Sequence, residues 1–508
     1  MSTPKFDTII IGSGLGGLSC GAYLAKNGQK VLVLEKNNIL GGYAASFKRG
    51  PYSFDIGLHA VDGVGKDQPM SKFLEMCGVA NSISFLKIKY FIRAVFPEHD
   101  LRIPSGDLAR VVAVFEENFP HEKEGITNLF KQMTNIYSDT IHFFFSTAPM
   151  WQQLPIFPFR YKSLFANMKK TVKQLLDKHL KDEKLKTILF ANYSFYGLPP
   201  SQVSVLSAVG NINYWKEGAY YPKGGNQVIP NAFVNVIRNN NGEMLLGEEV
   251  TAITVENNKA VGVTTEKGKK YLGKNIVSNA CAIETFHKMV GDQKLPDRFK
   301  TKLDKMQTSG SGFLVYLGLD ESFKQTLESI EDYDIVVSET YDQDQDYEWI
   351  QSCNVEKSHF YITLYSNIDS SLAKDGRFVA SLLQGQPYSY WKRFEAAYKS
   401  GNKEEYNKEK DRIAGILIRR AENVIPNLSK YIETVEIATP LTLQKFTGNF
   451  NGAILGWANT IRQFTPMDRL TKLPLKNLHL SSAWTFPGEG QATTIACGYR
   501  LANQLLKG

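Results

Sequence analysis

Cysteine is scarce in this chain: Cys20, Cys77, Cys281, Cys353 and Cys497 are odd in number, scattered, and never spaced as CxxC. Such a set supports neither a disulfide framework nor a redox-active dithiol nor a metal site, so a reducing, cytoplasmic compartment is expected. Long apolar runs are also missing, and no stretch of about 18 residues is apolar enough to span a bilayer. The segment Thr8–Ala25 has the texture of a signal-peptide core, but Asp7 precedes it and its glycines suit a tight turn better. Positive charge is thinly spread: 59 basic against 51 acidic residues leave +8 on 508 residues. Nowhere do the basic residues form a stripe among stacking aromatics, which argues against nucleic acid as a partner. The chain has no internal repeat, no low-complexity tract, and no recognisable Ser-His-Asp or metal-ligand constellation. It has a single GxGxxG unit, which argues against a separate NAD(P)H domain.

That unit is the densest signal present. In FDTIIIGSGLGGLSCGAYLAKNGQKVLVLE (Phe6–Glu35), Asp7 to Ile11 reads as a short buried strand. Gly12-Ser13-Gly14-Leu15-Gly16-Gly17 then turns into a helix carrying Leu18, Ala22 and Ala25 on one face. Gly12 suits the tight turn, Gly14 a close approach of backbone to a pyrophosphate, and Gly17 close packing of helix on strand. A diphosphate would sit on the free N–H groups at the positive helix end. A second β-branched strand, Val31 to Leu34, ends on Glu35, placed to accept hydrogen bonds from an adenosine ribose. The chain is expected to bind a dinucleotide.

Which dinucleotide is decided elsewhere. After Glu35 and Lys36, the pair Gly41-Gly42 lets the chain pass closely over a diphosphate, with Tyr43 next to it. Near the other end, NLHLSSAWTFPGEGQATTIACG (Asn477–Gly498) reads as strand, glycine loop and helix. That helix should start near Gly490, with Gln491, Ala492 and Thr493 in its first turn. Its N-terminus could face a flavin ring and stabilise the negative charge formed there on reduction. Closure from both ends around one cofactor favours FAD.

The segments LEKNNILGGYAASF, FDIGLH, YYPKGGNQVIPNAF, MLLGEEVTAITVENNKAVGVTT and LHLSSAWTFPGEG make the chain similar to the phytoene desaturase superfamily of flavoproteins. Within it the chain most resembles the branch of carotenoid isomerases and retinol saturases. Carotene desaturases commonly place Arg where Tyr43 stands, and the FDxGxH form at Phe54–His59 resembles the saturase branch more. The resemblance implies an α/β fold of amine-oxidase-like architecture, with a Rossmann-like, two-ended FAD-binding domain interleaved with an α+β substrate domain. It also implies that Val250, with Glu249 at the end of a strand, contacts adenine through its backbone. Gly57, Leu58 and His59 should pass near the flavin ring.

The texture of the chain divides accordingly. Residues 1–65, 211–295 and 441–508 are expected to form the FAD-binding domain. Residues 66–210 read as a helical, aromatic substrate- or membrane-facing region, and 296–440 as a substrate-domain sheet with helices, opening on GFLVYLGLD. The acidic run Glu339–Glu348 reads as a solvated loop, and Lys403–Arg412 as an exposed helical face. Between Ile141 and Lys186, aromatics (Phe143–Phe145, Trp151, Phe157, Phe159, Phe165) are interleaved with or followed by Lys162, Lys169, Lys170, Lys173, Lys178 and Lys181. An aromatic lip flanked by lysines suits shallow, peripheral insertion into anionic lipid. The same aromatics could instead line an internal tunnel.

The expected function is that of an FAD-dependent oxidoreductase or isomerase acting on carbon–carbon double bonds of a long hydrophobic polyene, such as a carotenoid, a retinoid or a related isoprenoid lipid. A polyene has few polar handles, which suits a pocket of Tyr, Phe and Trp. Tyr193, Phe195, Tyr196, Tyr214, Trp215, Tyr220 and Tyr221 are candidates for its lining. Desaturation needs loss of a proton and saturation its addition. His59 is the one catalytic candidate, since imidazole can donate a proton near neutral pH, while Asp55 reads as structural, bonding amides of its own turn. Electrons would pass to or from a quinone, oxygen or a separate reductase. Two other readings stand beside this one: an amine-oxidase-like flavoenzyme, and a flavin-bearing carrier that binds lipid without turning it over.

Overall fold

The computed structural model describes residues 5–57, 59–144, 154–464, 470, 472–486 and 488–507. Its first sheet has seven strands and is built around Lys5–Ile11. This strand runs parallel to Lys270–Ser278 on one side and to Val31–Leu34 on the other, followed by Glu243–Leu245. Val250–Glu256 and Lys259–Thr265 extend the sheet antiparallel, and Leu478–Leu480 pairs with the end of Lys270–Ser278. Central parallel strands are covered on both faces, which is why Val31–Leu34 is apolar throughout. Ile10, Val31, Val33 and Val277 face one core, shared with the helices Leu15–Lys26, Val228–Asn239 and Gln491–Leu506. Ile9, Ile11, Leu32 and Ile276 face the other, with Phe286, Trp457 and Trp484.

Glycine sets how closely these layers approach. Gly12 has φ +91°, as its turn requires. A Cβ on Gly17 would lie 2.8 Å from the Gly12 carbonyl oxygen and 2.9 Å from Asn279 Cβ. One on Gly16 would lie 2.5 Å from the Ser481 carbonyl oxygen, and one on Gly498 would overlap Ser19 Oγ and the Gly16 carbonyl. The first helix (Leu15–Lys26) and the last (Gln491–Leu506) therefore touch backbone to backbone. Ser19 Oγ donates to the Ile495 carbonyl at 3.1 Å, and Ser481 Oγ to the Gly16 carbonyl at 2.8 Å.

The second sheet also has seven strands, in the order Ile432–Ala438, Ser311–Leu319, Phe378–Gln386, Phe360–Thr363, Asp334–Val337, Tyr90–Val95 and Asp100–Pro104. Only the pairing of Asp334–Val337 with Tyr90–Val95 is parallel. GFLVYLGLD underlies the strand Ser311–Leu319, which lies next to the edge strand Ile432–Ala438 and is buried over its whole length.

Three sequence expectations are corrected here. The stretch 66–210 is not helical throughout, because the alternation in Asp100–Pro104 (Leu101 and Ile103 inward) makes it and Tyr90–Val95 strands of the second sheet. The run Glu339–Glu348 is not a solvated loop: Asp342 caps the helix Gln343–Gln351, and its Asp346 is buried. Val250 starts a strand rather than ending one.

The glycine contact yields a direct test. Gly498→Val should destabilise the fold by roughly 1–3 kcal/mol, as overpacking usually does, and so lower both the thermal unfolding midpoint and the flavin content. Backbone of Gly16 and Cys20, as well as the Ser19 hydroxyl, blocks the new atoms. An unchanged midpoint would show that the two helices do not meet as described.

Candidate functional site

One continuous cavity of about 820 Å³ runs from the mouth of the first sheet into the space beneath the second. At its nucleotide end both principal helices present uncapped N-termini. Gly14 precedes the first helix and Gly490, at φ +93°, precedes the last, and neither receives a side-chain cap. Gly12, Ser13, Gly14 and Leu15 border the cavity on one side, and Gly490, Gln491, Ala492 and Thr493 on another. Gly16 and Gly17 do not; they serve the packing described above. Leu58 lies outside the described residues.

Glu35 is buried on this wall. Its Oε2 accepts from the Ser13 N–H at 2.9 Å and Ser13 Oγ at 2.6 Å, and its Oε1 accepts from the N–H and Nδ2 of Asn37, both at 2.9 Å. The carboxylate thus fixes the glycine turn as well as bordering the cavity. Lys36 Nζ donates to the Lys445 carbonyl at 2.8 Å; burial lowers its pKa against the pull of Glu249, Glu35 and Glu284. Gly41 and Gly42 both have positive φ, and the Gly41 N–H donates to Ser13 Oγ at 3.1 Å, which draws this segment over Gly14. Val250 lines the far end beside Glu248 and Glu249. Gln491 Oε1 is a buried acceptor without a partner among the described residues, as a wall completed by a ligand requires. Uncapped helix ends, close glycine backbone and this orphan acceptor fit a dinucleotide.

Beyond Tyr43 and Gly57 the same cavity opens into a chamber walled by Tyr193, Phe195, Tyr196, Tyr214 and Tyr361. Tyr43 donates to the Ala453 carbonyl at 3.1 Å, and burial pushes its phenol up. Burial likewise keeps Tyr193, Tyr196, Tyr214 and Tyr361 protonated. Of the other aromatic candidates, Trp215 and Tyr221 are core residues and Tyr220 does not reach the wall.

His59 lies on the chamber wall, and its ring is held from the second sheet rather than from its own loop. Nδ1 is 3.0 Å from Asp334 Oδ1 and 2.7 Å from Thr363 Oγ1, and Thr363 donates to the same carboxylate oxygen at 2.5 Å. The Tyr333 hydroxyl donates to the His59 carbonyl at 2.5 Å. Nε2 is buried and has no partner among the described residues. The partners Asp334 and Thr363 were missed in the sequence, where 275 and 304 residues separate them from His59. Asp55 is structural, but it accepts from Ser46, Tyr221 and Asn226 rather than from amides of its own turn. Asp62, three residues after His59, was also missed: it faces the chamber, accepts from Asn213 Nδ2 at 2.9 Å, and burial raises its pKa.

The chamber wall also holds the kind of set the sequence did not reveal. Ser194 Oγ is 2.6 Å from His359 Nε2, and His359 Nδ1 is hydrogen-bonded to Asp346 Oδ2. The serine and histidine are 165 residues apart, so no local motif announces them.

The helix Lys123–Phe144 forms part of the chamber through Tyr137, Thr140 and Ile141. Phe143 on the same helix is half-buried against Phe157 and Tyr161, with ring centroids at 5.0 and 5.4 Å. It therefore packs partly inward, while the Phe144 side chain, Phe145 and Trp151 lie outside the described residues. Ile156, Phe159 and Phe165 are exposed instead, Phe159 at 75%. Lys162 and Lys169 beside them are exposed and make no ion pair among the described residues, whereas Lys173 pairs with Asp177 and Glu183. Among the described residues no helix is long and apolar enough to cross a membrane.

Comparison with known proteins agrees with this geometry. A model of the flavin-containing amine oxidoreductase family matches residues 15–365. Prolycopene isomerase of Daucus carota is 24% identical over 99% of this chain and 80% of its own length. All-trans-retinol 13,14-reductase of Danio rerio is 24% identical over 94% and 82%, and the 4,4'-diapophytoene desaturase (4,4'-diapolycopene-forming) of a Methylomonas species is 24% identical over 96% and 92%. Among solved structures, an oxidoreductase from Methanosarcina mazei superposes with a TM-score of 0.61 at 16% identity, covering 98% of this chain and all of its own. Putrescine oxidase bound to putrescine superposes at 0.62 and 13% identity over the whole of both chains. These last two establish the fold. The cofactor is FAD, and the residues at the nucleotide end of the cavity fit it.

Its glycines and carboxylate make separable contributions. A Cβ at Gly14 would overlap the Asn279 amide at the mouth of the first helix, so Gly14→Val should leave purified protein without FAD. Glu35→Ala removes charge-assisted hydrogen bonds worth about 1.5–3 kcal/mol each and should weaken FAD retention less severely. Full flavin content in Gly14→Val, read from the absorbance of the purified protein, would refute the assignment.

Proposed function

We propose, from the premise that this chain belongs to the flavin-containing amine oxidoreductase family, that it is an FAD-dependent enzyme acting on carbon–carbon double bonds of a long hydrophobic polyene. The carrying observation is the continuity of the cavity: the FAD groove opens without a break into an aromatic chamber whose imidazole is oriented by a buried carboxylate. The whole-length relatives named above for prolycopene, retinol and diapophytoene support the substrate class. When bound, FAD supplies hydride exchange with a substrate carbon.

The residues supply position, dryness and a proton. Tyr193, Phe195, Tyr196, Tyr214 and Tyr361 offer flat, polarisable faces to a conjugated chain and exclude water. Asp334 fixes the proton of His59 on Nδ1 and leaves Nε2, buried and without a partner among the described residues, to give or take a proton as its charge state allows. Asp62, its carboxyl raised by burial, is a second place to hold one. The amine-oxidase reading needs a lysine-held water in the chamber. The lysine on the cavity wall among the described residues is Lys36, at the nucleotide end and committed to a carbonyl.

The exposed Ile156, Phe159 and Phe165 with Lys162 and Lys169 support shallow seating on an anionic bilayer, beside the helix that walls the chamber. A polyene could then enter without crossing water.

Anaerobic incubation of oxidised and of reduced enzyme with a panel of polyenes should change flavin absorbance and product mass together. No change with any polyene class would instead support a non-catalytic carrier. His59→Phe should keep FAD and dithionite reducibility but lower net saturation or desaturation by about 10²–10⁴, the usual worth of general acid–base help, and lower isomerisation less. Asp334→Asn should act in the same direction. Unaltered turnover in both would make the pair structural. Replacing Ile156, Phe159 and Phe165 together by Ser should reduce flotation with anionic liposomes more than added salt does in the parent protein; equal flotation would rule out insertion by this rim.

A further inference from the structure

The polyene reading leaves one polar cluster on the chamber wall without a task. Ser194 is half-buried and borders the cavity, with His359 and Asp346 behind it at 2% and 1% exposure. Asp346 accepts from three donors: His359 Nδ1, the His359 backbone N–H at 2.8 Å and the Tyr193 hydroxyl at 2.6 Å. Burial would raise its carboxyl, yet His359 and these hydrogen bonds hold it below its usual range. A buried carboxylate so fully satisfied is a rigid support for the imidazole, and the imidazole presents Nε2 to Ser194 Oγ at 2.6 Å.

Atom order alone would suit a serine nucleophile, but the neighbouring amides are committed. The Phe195 N–H donates to the Asn192 carbonyl at 2.9 Å and the Gly197 N–H to the Ser194 carbonyl at 3.0 Å, so neither is free to hold an oxyanion. The hydroxyl is built to bind. With Nδ1–H fixed on Asp346, Nε2 accepts the serine proton when the ring is neutral and donates when it is charged. Ser194 can therefore accept from a ligand or donate to one. A bare hydrocarbon would cover this hydroxyl and leave the capacity not taken up by His359 unused. A carboxylate would meet the negative charge of Asp346 behind the ring. The cations on the cavity wall among the described residues are Lys36, committed to Lys445, and Arg500, exposed on the last helix, and neither bonds to the Ser194 cluster.

We propose that Ser194, oriented by His359 and Asp346, is a subsite for a neutral oxygen function of the substrate, a hydroxyl or a carbonyl, so that the substrate class is an oxygenated polyene rather than a pure hydrocarbon or a polyene acid. This rests on the polyene reading above and narrows it.

The test uses FAD-loaded enzyme in the oxidised state, with no electron donor. Three ligands of matched chain length are titrated: a conjugated hydrocarbon, its terminal alcohol and its terminal carboxylate, each followed by perturbation of the flavin spectrum. The alcohol should bind about ten-fold more tightly than the hydrocarbon, the scale of one good buried hydrogen bond, and the carboxylate should bind weakest. Ser194→Ala, checked for normal flavin content and unfolding midpoint, should erase the preference by weakening the alcohol alone. Ser194→Thr, which keeps the hydroxyl, should retain it. Equal affinity for alcohol and hydrocarbon in the parent, or a preference that survives Ser194→Ala, would overturn the subsite and leave the polyene reading standing. If none of the three perturbs the flavin, the polyene reading falls and the subsite falls with it.

Discussion

The backbone contact between the first helix and the last is the constraint on which the rest depends. Gly16 and Gly498 let two helices from opposite ends of the chain cross without intervening side chains, and Ser19 and Ser481 bond directly across the junction. That crossing brings two uncapped N-termini to one cavity. A helix N-terminus carries roughly half a positive charge, so two of them create a strongly anion-favouring mouth without any lysine or arginine committed to it. A single Cβ at the crossing would move one terminus away from the other, and both ends of the cofactor groove would be lost together.

The second sheet completes what the first begins. It sends Asp334 and Thr363 down onto His59, and the strand Phe360–Thr363 also carries Tyr361 on the chamber wall. The histidine thus belongs to the cofactor-side loop in sequence and to the substrate-side sheet in hydrogen bonding. This coupling means that its orientation reports on how the two layers are seated. Two buried histidine–carboxylate pairs, His59–Asp334 and His359–Asp346, stand at or behind the chamber wall, joined through the rings of Phe195 and Tyr361. One leaves an open imidazole nitrogen and the other presents a serine hydroxyl, so an otherwise apolar space has two defined polar points and can distinguish one end of a ligand from the other.

What could be read from the sequence was what short-range physics encodes. The strand Val31–Leu34, the turn at Gly12, the helix beginning after Gly490 and the strand within GFLVYLGLD all follow from residues close to each other in the chain. His59 could be singled out because its motif is local. Asp334, Thr363, Ser194, His359 and Asp346 were not, because their meaning arises only when the second sheet folds. Asp346 sits in a run whose acidity suggests solvent, and only its burial against His359 shows otherwise. The strands Tyr90–Val95 and Asp100–Pro104 had a readable alternation, hidden within a stretch whose aromatics suggested helices. Phe143 looked like part of an exposed lip, yet it packs inward and leaves Phe159 and Phe165 outside, a choice set by tertiary packing that composition does not encode.

The central claim is that cofactor groove and chamber are one functional space. A crystal structure of the FAD-loaded protein with a bound, unreactive conjugated polyene tests it most directly. The account predicts a polyene lying in the chamber along the wall formed by Tyr193, Phe195, Tyr196, Tyr214 and Tyr361, with one bond of its conjugated chain against the flavin ring and close to His59. A polyene found outside this cavity, or a chamber closed off from the flavin by the chain between Tyr43 and His59, would contradict it.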